Sequence, residues 1–100
     1  MNIAGYGSAS QLKSAQLEGM NFHYVYILQS EVNPDRFYVG LTDDLQERLR
    51  KHNAGEVVHT MKFKPWVVKT AIAFRDRDRA AQFERYLKSG SGRAFARKHL

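Results

Sequence analysis

The sequence predicts an α+β domain, and three observations carry that prediction. FHYVYILQ at 22–29 and FYVG at 37–40 flank the turn chemistry Asn33-Pro34-Asp35, which reads as an antiparallel hairpin with a longer loop. A third run of β-branched and aromatic residues extends from Trp66 to Phe74. Between and after these runs the apolar spacing changes to that of a helix, as in Leu45/Leu49 and Ala80/Phe83/Leu87.

Residues 1–19 are rich in Gly, Ser, Ala and Gln and carry no core pattern, so they read as a flexible leader, with Met20 a candidate true start and the folded domain at 20–100. In the first strand Phe22, Tyr24, Tyr26 and Leu28 share one face, and Val25 and Ile27 take the other. Apolar residues on both faces predict a strand covered on both sides. The second strand then brings Tyr38 close to Tyr26. Thr42-Asp43-Asp44 supplies N-cap candidates for a short helix that stops at Asn53-Ala54-Gly55. Four residues at about 100° each leave Arg48 and His52 only about 40° apart, on one side of that helix beside the leucines.

Residues 56–64 are weakly patterned and read as a loop with a short helix. After the third strand, Asp76 or Asp78 can cap a helix that carries Glu84 at the edge of its apolar stripe and ends at Ser89-Gly90. Ser91 is the expected cap of a final basic helix running to Leu100. Trp66 and Phe74 are assigned to the core. His23, His59 and His99, with no partner at a useful spacing, are assigned to the surface.

A chain of 100 residues supports one modest core. It contains no cysteine, which excludes a disulfide framework, a thiolate nucleophile and cysteine-ligated metals. No apolar run approaches the ~20 residues of a membrane span, and the first twenty residues hold no signal-peptide core, so a cytoplasmic protein without membrane attachment is expected. The net charge is +6 and unevenly placed. Lys62, Lys64 and Lys69 lie close together in sequence, and Lys88, Arg93, Arg97 and Lys98 fall in a terminal segment, from Arg85 onward, that has no carboxylate. These seven residues are the candidate nucleic-acid contacts, because clustered cations suit a polyanion.

Tyr26, Tyr38, Arg48, His52 and Glu84 form the candidate catalytic set. Taken singly they are ordinary: sheet aromatics, a solvated helix face, and an i,i+4 pair of Glu84 with Lys88. Taken together, Tyr24-Val25-Tyr26, then Tyr38-Val39-Gly40, then Arg48 four residues before His52, then FERYLKSG with Glu84, resemble the GIY-YIG nuclease domain. The resemblance covers Met20 to Leu100 and is closest to small stand-alone bacterial members. It implies a three-stranded antiparallel sheet flanked by helices, and metal-dependent hydrolysis of phosphodiester bonds in DNA, with RNA as a second candidate.

By the same resemblance Tyr26 and Tyr38 are the two motif tyrosines, Arg48 steadies the transition state, His52 assists a tyrosine, and Glu84 holds Mg²⁺ or Mn²⁺. The chemistry of these residues suits those roles. A guanidinium matches phosphate oxygens in a planar fork, imidazole titrates nearest neutrality, and one carboxylate can hold a largely hydrated Mg²⁺. Tyr24 stands where the family name has Gly, and Val replaces Ile in both motifs. No Asn follows Asn53, although many family members use a late asparagine near the metal; Ser89, Ser91 or no residue at all takes its place. That departure motivates the alternative of a catalytically weak or inactive nucleic-acid-binding module. A third class, an adaptor for an acidic protein, leaves the motif residues unexplained. With about 80 patterned residues, sequence-specific cutting would need a protein partner to supply readout.

Overall fold

The computed structural model describes residues 21–100; the leader and the boundary at Met20 lie outside them. The elements are β1 (His23–Ser30), β2 (Phe37–Thr42), α1 (Leu45–Asn53), a 3₁₀ turn (Met61–Phe63), β3 (Trp66–Phe74), α2 (Arg77–Leu87) and α3 (Gly90–His99). Both strand pairings are antiparallel, in the order β2-β1-β3. The strand with apolar residues on both faces is therefore the central one.

Each face of β1 nucleates its own core. Val25 and Ile27 pack with Ala80 and Leu87 of α2, joined by Val39, Phe74, Phe83 and Ala96. Tyr26 and Leu28 pack with Trp66 on the opposite face, joined by Tyr38, Leu45, Leu49 and Phe63. Complete burial of such side chains contributes roughly 1.5–3 kcal/mol apiece. Phe74 is half-buried at the margin of the first cluster, and Trp66 lies deep in the second.

The helix starts follow local chemistry. Asp44 accepts from Glu47 N at 3.0 Å to cap α1, and Asp76 accepts from Asp78 N and Arg79 N at 2.8 and 3.2 Å to cap α2. Gly55, at φ 78°, supplies the left-handed residue just beyond α1. The cap of α3 corrects the sequence reading. Ser89, not Ser91, has the extended backbone of a cap, and its Oγ accepts from Gly92 N at 3.1 Å. The two helices are consequently almost continuous, and Gly92 is pressed against the end of α2, where a Cβ would overlap the Tyr86 carbonyl.

A second irregularity lies in β3. Ile27 pairs with Thr70 while Leu28 pairs with Val68, so Lys69 is an extra residue in the strand. Among the described residues, no helix is long and apolar enough to cross a membrane.

Candidate active site

Tyr26 and Gly40 are direct cross-strand partners. The Tyr26 phenol lies across Gly40 so closely that a Cβ there would overlap its hydroxyl and Cζ. This close approach accounts for glycine at the end of the Tyr38-Val39-Gly40 motif. The phenol is directed to α1, which packs over this face with Leu45 and Leu49.

There the hydroxyl meets both helix residues predicted to share a side. Arg48 Nε donates to Tyr26 Oη at 3.4 Å, and Tyr26 Oη lies 3.0 Å from His52 Nε2. On the other side of the imidazole, Nδ1 lies 2.7 Å from Thr60 Oγ1, which in turn donates to the Val57 carbonyl at 3.3 Å. A guanidinium can only donate, so the Tyr26 oxygen accepts from Arg48 and spends its own proton on His52. The tautomer consistent with both ends carries its proton on Nδ1, which donates to Thr60, and leaves the Nε2 lone pair facing Tyr26. Arg48, Tyr26, His52 and Thr60 thus form one directed chain of hydrogen bonds.

Tyr26, His52 and Thr60 are fully buried, whereas Tyr38 is half-buried. The Tyr38 ring lies 4.9 Å from the His52 ring and 6.3 Å from that of Tyr26, centroid to centroid. Burial, with the Arg48 charge adding to it, lowers His52 from 6.5 to about 4, so the ring is neutral near pH 7. Burial raises Tyr26 above its ordinary value of 10.0, against the opposing hydrogen bond from Arg48. At rest the chain is therefore a neutral phenol against a neutral imidazole. Arg48 is held more firmly in its charged form, chiefly by its bond to Tyr26 and further by Tyr38.

The scaffold behind His52 is specific. The Asn53 side chain donates to the Trp66 carbonyl at 3.0 Å and accepts from Trp66 N at 2.6 Å, tying the end of α1 to the start of β3. The Trp66 indole donates to the Thr60 carbonyl at 2.9 Å. Thr60 lies in the weakly patterned stretch and was not a sequence candidate. Its position within hydrogen-bond reach of a helix histidine comes from this tertiary bracket, and periodicity carries no trace of it.

Glu84 stands apart from the chain of hydrogen bonds. It is on α2, half-buried, with its Oε2 paired to Lys88 Nζ, and its charge is the smallest of the influences acting on Tyr26. No group of three or more His, Asp or Glu side chains suited to a metal occurs among the described residues. Glu84 offers hard oxygen at the margin of the site, which suits one weakly held, mostly hydrated divalent cation. The Ser89 hydroxyl donates to the Tyr86 carbonyl at 2.6 Å while accepting from Gly92 N as the cap of α3.

The basic candidates divide into groups. Lys69, Lys88, Arg93 and Arg97 surround one cleft that also borders Tyr38. Lys62 lies by the Phe63 ring and Lys64 by Gly55, both in the stretch before β3, and Lys98 is exposed outside the cleft. His59 and His99 are exposed as expected. His23 departs from its surface assignment: it is half-buried, with Nδ1 2.6 Å from Asp43 Oδ1, because the end of β2 lies beside the start of β1.

A three-stranded sheet that supports a Tyr–His–Thr chain from one face, with an arginine at its mouth and a carboxylate at its margin, defines a small catalytic-domain architecture. Residues 22–98 match the GIY-YIG catalytic domain, and the chain belongs to that family. It is 41% identical over 71 residues to the structure-specific endonuclease subunit SLX1 of Scheffersomyces stipitis, covering 64% of this chain and 21% of the relative. It is 36% identical over 87 residues to the protein of the same name from Candida dubliniensis, covering 80% of this chain and 29% of the relative. A UPF0213 protein of Haloquadratum walsbyi is 47% identical over 36 residues, or 36% of this chain and 38% of that protein. The chain thus spans about a fifth to two fifths of the length of these relatives.

Proposed function

We propose that this chain is a divalent-metal-dependent endonuclease domain that hydrolyses phosphodiester bonds in DNA and prefers branched or flapped substrates. The observation that carries the reading is the directed chain from Arg48 through Tyr26 and His52 to Thr60, with the Tyr38 ring tilted against His52 at its exposed side. The preference for DNA structure is taken from the printed name of the SLX1 relatives.

Arg48 braces the phosphate. Its Nε is committed to Tyr26, which leaves the terminal nitrogens of the fork for phosphate oxygens that gain charge in the transition state. Tyr38 is the better placed phenol to act as base: half-exposed, it can release its own proton to solvent and, as phenolate, take one from the attacking water, whereas Tyr26 is sealed in the core with its proton held by His52. Arg48 beside both phenols favours whichever becomes anionic. His52 and Thr60 act as positioning residues: they fix the Tyr26 hydroxyl, and hence the guanidinium that leans on it. Mg²⁺ or Mn²⁺ held by Glu84 would supply positive charge to the attacked phosphate when bound.

A second reading, a nucleic-acid-binding module without useful turnover, draws on the absence of any Asn after Asn53 and on the Glu84–Lys88 pair. One experiment separates the two. The full chain is incubated with single-stranded, duplex and flapped DNA, and with RNA, in Mg²⁺, Mn²⁺ or chelator. Cleavage that chelator and Glu84→Ala both abolish establishes the nuclease. Binding of every substrate with no cut in either metal establishes the module. A protein partner that supplies substrate choice would appear as cleavage that becomes selective only when it is added.

A further inference from the structure

The cleft bordered by Tyr38 lies on the sheet face away from α1, between β2 and the α2/α3 pair. Its volume is about 730 Å³, inside the roughly 300–1,000 Å³ range of sites that enclose small organic groups. Its floor is apolar, made by Ile27, Val39 and Leu87, and its rim carries Lys69, Lys88, Arg93 and Arg97. Phe37 stands at the mouth, 51% exposed on an edge strand. The extra residue in β3 is what presents Lys69 here, with its ammonium 5.8 Å from the Phe37 ring centroid.

Phosphate neutralisation explains the cations but has no use for the floor, the aromatic or the acid. Asp35, the one carboxylate lining the cleft, would repel a phosphate yet can accept from the ring N–H or amino group of a nucleobase. An apolar floor with an exposed ring, a rim of cations and one acceptor matches a nucleotide group by group: base, phosphate, base edge. We propose that the cleft takes one unpaired nucleotide of a DNA strand beside the cleaved phosphate, with its base stacked on Phe37 and its phosphate among Lys88, Arg93 and Arg97. The inference deepens the nuclease reading and rests on it for the word cleaved.

Position joins the cleft to the chemistry. Tyr38 borders both the cleft and the His52 ring, and Lys88 connects the rim to Glu84. The two sites lie on opposite faces of the sheet, and β2 is its edge strand, so a strand with its phosphate at Arg48 would reach Phe37 by passing round the β2 edge at Tyr38. A paired, stacked base cannot enter without being extruded at a cost of a few kcal/mol, whereas a base at a flap, fray or junction enters freely. The cleft would thus select DNA by structure while reading little sequence.

The test measures binding in chelator, where no strand is cut. Fluorescence anisotropy follows the full chain on a flapped duplex and on a blunt duplex of equal length, while one abasic site is walked through the junction. One position should weaken flap binding by roughly 5- to 150-fold, the range for losing one stacked base. Phe37→Ala should weaken the intact flap by a similar factor, change the blunt duplex by less than about twofold, and add nothing at the sensitive abasic position. An abasic walk that is silent at every position overturns the proposal, as do abasic and Phe37→Ala losses that multiply. Displacement of the flap by a poly-glutamate peptide with a silent walk assigns the cleft to an acidic protein and overturns it too. If Phe37→Ala fails to fold, the walk on the unaltered chain still decides. Failure of the nuclease reading looks different: the sensitive abasic position persists, and no substrate is cut when metal is added.

Discussion

Acid should loosen this protein through one residue, His52. In the unfolded chain its imidazole takes a proton near 6.5; in the fold it resists until about 4, because it is buried and Arg48 stands nearby. Between those two values the unfolded state holds more protons, so stability falls as pH falls. The histidine's contribution is intact above about pH 6.5 and is withdrawn progressively towards pH 4. A separation of about 2.5 units at about 1.4 kcal/mol each gives a loss of about 3 kcal/mol across the window. For a domain whose whole stability is about 5–15 kcal/mol, that is a large fraction. Urea unfolding followed from about pH 7.5 to about pH 4.5 should show it, and His52→Gln, which removes the titrating ring, should flatten the slope over that interval. An imidazole resonance of His52 that titrates near 6.5, or equal slopes in both proteins, would refute the burial argument and with it the proton inventory of the Tyr26 chain.

Arg48→Ala and Glu84→Ala should each cut single-turnover cleavage by ~100-fold or more while shifting stability by no more than about 1 kcal/mol, read by urea melts; Arg48→Lys should not restore full activity, since it keeps the charge but loses the fork. Gly92→Ala should destabilise the domain by about 3 kcal/mol or more, because the added methyl overlaps the Tyr86 carbonyl and forces α3 away from α2. Replacing Arg93, Arg97 and Lys98 together by Gln should flatten the plot of log affinity against log salt, and an unchanged slope would move the polyanion surface elsewhere. A chain started at Met20 should melt within a few degrees of the full chain, in keeping with the proposed leader at 1–19; a larger fall would show that the leader packs on the domain.

The strands were legible because β1 announces its place. Apolar residues at both parities, from Tyr24 to Leu28, leave a central strand as the consistent solution, and the Asn33-Pro34-Asp35 turn fixes its partner. Helix starts were legible to within the choice of cap. Ser91 was the expected cap of the last helix and Ser89 performs that role, since a cap is decided by backbone angles that a run of Ser and Gly residues leaves open. The proximity of Arg48 and His52 followed from helical spacing alone. That both bond to the Tyr26 hydroxyl required the register of Tyr26 over Gly40 and the packing of Leu45 and Leu49 on that face.

What the sequence withheld is what acts over long separations. Thr60 comes into reach of His52 through Asn53 and Trp66, residues whose pairing has no local signature. The seven basic candidates looked like two clusters along the chain, yet the fold regroups them: Lys69 leaves its sequence neighbours to join Lys88, Arg93 and Arg97 across the sheet, because one extra residue in β3 presents it there. The result is a division of labour across a single strand. One face of β1 holds the Tyr26 chain and the other floors the cleft with Ile27, so a change that slides β1 by one residue would exchange the two sets of side chains and disable both. The register of β1 against β2, fixed by the fit of the Tyr26 ring over a glycine, is therefore where stability and the proposed chemistry depend on the same contact.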